Sequence, residues 1–322
     1  MYNMPSYGDV PVVDAHVHLA RRSSLKMPFE LWVQNSDPAA DWDELLDADG
    51  VVRPAAISAL FAAQGVDVAL LFAEYSPKVT GMQTIEDMLP MVEHDPARFR
   101  LVANLNPHLH YPIAAELERQ LDLGAIALKV HPVHAGCAVD DKALYPAYSV
   151  CEARGIPLIV HCGTSNFPGA QNKYGDPVYL DDVLRDFPDL TLVLAHGGRG
   201  WWYDAAAFLA LTYPNVWIEL AGLPPQRLPE YYAKFDLPRL ARKWIFATDW
   251  PSMPGIGKNI DALAKLGLPD EVLAGVLSGN AQRVYNLGEI TVRELGSGRA
   301  EPATYVAGVS DERPGEASPY VG

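Results

Sequence analysis

Cysteine is scarce in this chain: Cys137, Cys151 and Cys162 are the only three among 322 residues. Their odd number and the lack of any C-x-x-C spacing exclude a disulfide framework and a zinc knuckle, and fit a reducing compartment. Positive charge is also short. Lys and Arg number 25 against 40 Asp and Glu, a formal net charge of −15. That balance argues against nucleic acid and against an anionic membrane surface as partners, because both need a basic face. No run approaches 18 uninterrupted apolar residues, so no transmembrane helix is expected. The opening MYNMPSYGDV has neither the basic nor the apolar region of a secretory signal. The expectation is a cytoplasmic protein that acts on a small molecule, without nucleic-acid or membrane partners. A homo-oligomer is expected, with a hetero-oligomer left open.

Apolar residues make up 49% of the chain, enough for a large core. They fall into eight short runs bounded by turn residues: VVDAHVHL (12–19), VDVALLFA (66–73), RLVANLNP (100–107), AIALKVHP (125–132), IPLIVHCG (156–163), TLVLAHGG (191–198), VWIELAG (216–222) and WIFATDWP (244–251). Most are nearly continuous in Val, Ile, Leu and Ala, the pattern of parallel strands buried on both faces. Amphipathic stretches such as PAAISALFAAQG and YPIAAELERQLDLG lie between them, several ending in Gly or Pro. Eightfold strand–helix alternation predicts an α/β fold, a (β/α)8 TIM barrel over residues 1–288. A doubly wound sheet is the alternative, but no G-x-G-x-x-G turn follows the first strand. Residues 20–52 form a long loop after strand 1, the length of a lid or binding wall. The tail, 289–322, is rich in Gly, Pro and Ser and is expected to be extended or disordered.

Polar residues cluster where these strands end. His16 and His18 lie two apart on strand 1, so their imidazoles share one face. Strand 4 contributes Lys129, strand 5 His161, strand 6 His196 and strand 8 Asp249. In a barrel these ends form one rim, where active sites are built. A single histidine ending a strand is commonly structural. Four on three strands, with an aspartate inside IFATDWP, are costly to bury unless they pair or bind metal. Imidazole with carboxylate is a ligand set for a divalent ion, zinc first, with iron or manganese also compatible. Lys129 would repel such an ion as an ammonium. It either pairs with a carboxylate or a substrate, or reacts with carbon dioxide to become an anionic carbamate.

Other residues are candidate substrate contacts: Glu74 and Tyr75 after strand 2, TSNFPGAQNKYGD after strand 5, and Arg199 with Trp201 and Trp202 in GGRGWW. Arginine suits a carboxylate clamp. His131 and His134 follow Lys129 directly and read as surface or supporting groups as readily as pocket groups. Asp14 reads as a group that steadies the strand or a ligand.

H-x-H on strand 1, Lys on strand 4, His on strands 5 and 6 and Asp on strand 8 resemble the amidohydrolase superfamily. ALKVHPVHAG, LIVHCGTS, LVLAHGG, FATDWP and LSGNAQRVY, in that order across residues 10–288, are most similar to its amidohydrolase-related branch. The resemblance implies a metal held by His16, His18 and Asp249. A second would be held by His161 and His196, with carboxylated Lys129 bridging the two. In the mononuclear form it implies one metal on His16, His18, His161 and Asp249, with His196 free as an acid or base.

The reading it favours is a metal-dependent hydrolase of a small amide, ester, lactone or C–C bond, with a binuclear centre. There Asp249 is the general base toward metal-bound water, and His196 or the second metal polarises the carbonyl. A mononuclear decarboxylase of an aromatic or enol acid is an alternative, although strand 5 reads VHCGTS where such decarboxylases usually have His-Pro. An iron or manganese two-metal oxygenase on the same barrel is another.

Overall fold

The computed structural model of the protein describes residues 10–251 and 255–292. Eight parallel strands make the barrel: β1 (Val13–Val17), β2 (Val68–Phe72), β3 (Phe99–Leu105), β4 (Ala125–Val130), β5 (Leu158–Gly163), β6 (Leu192–Arg199), β7 (Val216–Glu219) and β8 (Trp244–Ile245). They pair in chain order, with register such as Val13 opposite Val68 and Trp244 opposite Ile218. All eight apolar runs are strands, and helices such as Pro54–Ala63 and Ile113–Asp122 connect them.

Alternate residues of each strand build two cores. On β2, Val68, Leu70 and Phe72 fill the barrel interior, while Ala69 and Leu71 pack against the helices. Both faces are dry, which is why the run is apolar throughout. Beneath the barrel, Ala281, Val284 and Tyr285 join the inner core and plug that end.

The seam between β8 and β1 is irregular, and this matters for the site. β8 is regular for two residues only, yet the chain continues alongside β1. Ala15 N donates to Phe246 O at 3.1 Å, Asp249 N to His16 O at 3.0 Å, and His18 N to Trp250 O at 2.8 Å. Asp14 reinforces the seam, accepting from Thr248 N at 2.9 Å and Thr248 Oγ1 at 2.6 Å. Strand 8 is therefore shorter than 244–251 because side-chain bonds replace part of its ladder.

Residues 20–52 form a wall of short helical turns, Phe29–Gln34 and Trp42–Leu45 among them. Their aromatic rings pack at a tilt, inward from Trp32 to Trp42 (4.4 Å between centroids) and on to Trp250 (5.5 Å). A small hairpin, Glu74–Ser76 with Gly81–Gln83, rises from the end of β2. Most of the tail, from residue 293, lies outside the described residues. Among the described residues no helix is long and apolar enough to cross a membrane.

Candidate metal centre

The carboxyl ends of the strands open into a cavity of about 890 Å3, its open mouth included. His16, His18, Lys129, His161, His196 and Asp249 all line it. Two different local devices bring them there. On β1, Val13 and Ala15 belong to the inner core, whereas Val17 packs outward. The register shift between Asp14 and Val17 exchanges the faces and turns His16 and His18 inward. On β6, Val193 and Ala195 already occupy the inward positions. His196 would point outward but for its left-handed backbone, φ 66°, which redirects the ring. Asp249 has the same φ, 66°. Non-glycine residues adopt that conformation at a cost of order 1–3 kcal/mol, held here by the surrounding bonds.

His16 Nε2 stands 3.1 Å from His18 Nε2 and 3.7 Å from Asp249 Oδ1, and His18 Nε2 stands 3.5 Å from the same oxygen. Donors bound to one tetrahedral ion at about 2.0–2.1 Å lie about 3.4 Å from one another. The three separations bracket that value, as a ligand triangle should. His161 faces His196, with ring centroids 4.3 Å apart, and both of its buried ring nitrogens lack a hydrogen-bond partner among the described residues. A buried imidazole with two orphaned nitrogens is costly, and coordination of an ion would satisfy one of them. The residues present therefore fit a divalent ion, with His161 available to complete the set.

The protonation states agree with this role. Burial pushes His16, His161 and His196 well below the usual imidazole range, so they are neutral and offer lone pairs. Burial works against the charge of Asp249, but the His18 hydrogen bond and the fields of His196 and His16 outweigh it and hold the carboxyl well below its ordinary value. His16 Nδ1 bonds Glu219 Oε1, and burial pushes both groups toward their neutral forms, so this contact is a hydrogen bond rather than an ion pair. Such a carboxylic partner fixes ring orientation in metal-binding histidines. His196 Nδ1 lies 2.8 Å from the Ala221 carbonyl oxygen and 4.0 Å from Asp249 Oδ2.

Lys129 is buried, with 1% of its surface exposed, and lies 3.3 Å from His16 Nε2. It makes no ion pair among the described residues, and burial pushes its amine below the ordinary lysine value. Arg199 donates through Nε and Nη2 to the Thr164 carbonyl (3.2 and 3.0 Å), which leaves Nη1 4.0 Å from Asp249 Oδ2. Gly222 allows that approach. A Cβ there would lie 2.5 Å from Nη1, and its φ of +64° suits glycine.

Glu74 and Arg199 line the cavity, but Tyr75 and Trp201 do not. The Tyr75 ring turns under the hairpin, where its hydroxyl meets Ile85 N at 3.4 Å and its face meets His110. Trp201 is 68% exposed. The strand alternation places Tyr75 opposite in sense to Glu74, so two adjacent residues were bound to diverge.

The cavity also holds residues the sequence left in the background. His131 caps the turn Pro132–Ala135, accepting from His134 N, and the two rings stack at 3.4 Å. His134 Nδ1 lies 3.4 Å from Glu74 Oε1 and its Nε2 lies 2.9 Å from Ser165 Oγ. The i, i+3 spacing of the two histidines across a Pro-initiated turn was the available signal. Much of the remaining wall is apolar, with Leu25, Met27, Trp32, Phe72 and Phe167, and Ser24, Thr80 and Gln83 add polar groups.

Residues 13–287 match the amidohydrolase family. Comparison with curated proteins gives no match. Among solved structures, the chain is similar to an uncharacterized TIM-barrel protein from Bordetella bronchiseptica, with 23% identity, a TM-score of 0.71, and 86% and 99% of the two chains covered. It is also similar to 5-carboxyvanillate decarboxylase from Sphingomonas paucimobilis, with 19% identity, a TM-score of 0.58, and 88% and 100% covered. A dihydroxybenzoic acid decarboxylase from a Polaromonas species, determined with bound manganese and the inhibitor 2-nitroresorcinol, shares 17% identity with a TM-score of 0.61, over 87% and 98% of the chains. At these identities the likeness establishes the fold.

Proposed function

The chain belongs to the amidohydrolase family, and from that premise we propose that it is a metal-dependent decarboxylase of a hydroxylated aromatic or enolic carboxylic acid. The observation that carries the reading is Arg199 Nη1, poised 4.0 Å from Asp249 at the rim of the ligand triangle and facing an aromatic-walled cavity. A cation beside a metal centre suits a substrate carboxylate, and the flat apolar walls suit an aromatic ring.

A divalent ion on His16, His18, Asp249 and His161 would supply Lewis acidity toward the substrate's oxygens. The chain's own groups do the rest. Thr164 fixes the guanidinium plane of Arg199, whose Nη1 holds one carboxylate oxygen. Phe72 stacks on His16 at 4.0 Å between centroids and holds that ring in place, while Trp32 and Phe167 supply aromatic wall. Asp249 begins ionised, accepts the proton of the hydroxyl beside the carboxylate, and returns it to the carbon as the C–C bond breaks and carbon dioxide leaves. No water is consumed in this step.

The named decarboxylases among the similar structures support the substrate class. The Cys162 that replaces the usual proline after the strand 5 histidine packs into the outer core. Cys162 does not line the cavity, so the departure falls behind its surface.

One observation favours a second reading, the binuclear hydrolase. Burial pushes the Lys129 amine below its ordinary value, and in its neutral form the amine can add carbon dioxide, forming an N–C bond and releasing one proton. The resulting carbamate would lie near His16 and offer a ligand toward His161 and His196.

A panel assay separates the two. Manganese- or zinc-loaded protein is offered 2-hydroxy- and 2,6-dihydroxybenzoates beside small amides, esters and lactones. Carbon dioxide release from the acids alone supports decarboxylation. Turnover of the amides or lactones alone would replace it with the hydrolase.

A further inference from the structure

We propose a second metal site in the same cavity, formed by Glu74, His131 and His134 and distinct from the strand-end ligands. One donor atom from each of these residues lies within 4.8 Å of the other two. All three residues are buried. The inference does not rest on the decarboxylase reading.

The separations argue for an ion rather than for a hydrogen bond. His134 Nε2 is engaged by Ser165 Oγ at 2.9 Å, so Nδ1 is the nitrogen that faces Glu74 Oε1, at 3.4 Å. A charge-assisted N–H···O bond would close to about 2.7–2.9 Å. Two donors on one tetrahedral ion lie about 3.4 Å apart, the distance observed. Glu74 is fixed by a second bond, Thr80 Oγ1 donating to Oε1 at 3.0 Å, and Ser165 fixes the His134 ring as a supporting partner does at metal sites. Two imidazoles and one carboxylate, with open positions toward the cavity, are the donor set of zinc, iron(II) or manganese(II).

Three elements supply the site. The hairpin after β2 lifts Glu74, and the Pro132–Ala135 turn carries both histidines. The loop after β5 brings Ser165. The His131 ring stacks on His161 at 4.0 Å, so this triad borders the first ligand set across one imidazole.

The test is metal counting on the full chain. Protein stripped with a chelator is reloaded with zinc or manganese, freed of excess, and analysed for metal per chain. Wild type should hold two ions. Glu74→Gln and His134→Ala should each lose one, Asp249→Asn should lose the other, and Glu74→Gln with Asp249→Asn should lose both. A wild-type count that Glu74→Gln and His134→Ala leave unchanged overturns the proposal. So does a second ion lost in Lys129→Ala but kept in Glu74→Gln, which places it among the strand-end groups. A single ion lost in Glu74→Gln and kept in Asp249→Asn upholds this site and removes the first one instead. Glu74→Gln is isosteric, and circular dichroism checks its fold.

Crystals of wild type soaked in zinc give an independent reading. An anomalous peak between Glu74 and His134 upholds the site, and its absence with a peak elsewhere overturns it. Labelling of Ser165 by a fluorophosphonate with an unchanged metal count would make Glu74, His134 and Ser165 a proton relay, and would also overturn it.

Discussion

The backbone N–H of Asp249 donates to the carbonyl of His16 at 3.0 Å, so the bond that closes the barrel seam also holds two of the proposed metal ligands side by side. Fold and site are coupled there. Damage to the seam should reach the metal, and removal of a ligand side chain should leave the seam intact.

Asp249→Ala keeps the backbone bond and deletes the carboxylate. It should lose activity by about 10²–10⁴-fold, the scale of a general acid–base group. Metal should fall with it, while the circular dichroism spectrum stays that of wild type. Full activity in the variant would remove Asp249 from the site.

Glu219 acts through His16. Glu219→Gln keeps the shape but weakens the bond to Nδ1, and metal affinity should fall about 10–100-fold. Competition with a chromogenic chelator measures it. An unchanged affinity would mean that the ring is held by packing on Phe72 alone.

Thr248 supports the seam through Asp14. Thr248→Val removes the 2.6 Å hydroxyl bond and should cost about 1–3 kcal/mol of stability, read from the urea midpoint. Burial pushes the Asp14 carboxyl up to about 7 even with those bonds in place, so its ionisation costs stability as pH rises toward 7.

Arg199→Lys should raise KM for a carboxylate substrate more than it lowers kcat, because lysine lacks the planar fork that Thr164 fixes. Gly222→Ala should act in the same direction by displacing Nη1. Equal losses in kcat and kcat/KM would make Arg199 a group felt only in the transition state.

The thiols make a control. Burial pushes Cys137 and Cys151 up to about 12, leaving almost no thiolate at neutral pH. Iodoacetamide at pH 7.5 should leave both unmodified in the native protein and alkylate them after denaturation.

Much of this architecture was legible in the sequence. Val68 to Phe72 reads as a two-sided buried strand because both of its faces are buried, and the same logic located all eight strands. Convergence of His16, His18, Lys129, His161, His196 and Asp249 followed from their places at strand ends. How they converge did not. The register shift in β1 and the left-handed backbone at His196 are set by neighbours from other strands, which periodicity does not encode. The hairpin at Glu74 was hidden in a loop too short to show alternation. His131 and His134 looked peripheral because their turn gains its meaning only when Glu74 and Ser165 fold over it.

The measurement that tests the central claim most directly follows the atoms of one turnover in D2O. The metal-loaded protein is given 2,6-dihydroxybenzoate labelled with carbon-13 in its carboxyl group, and carbon-13 and proton spectra are recorded. The account predicts labelled carbon dioxide or bicarbonate, and one deuterium at the vacated ring carbon of the product. An intact label across the hydroxybenzoates, with turnover of lactones or with oxygen uptake by the iron-loaded protein, would contradict it.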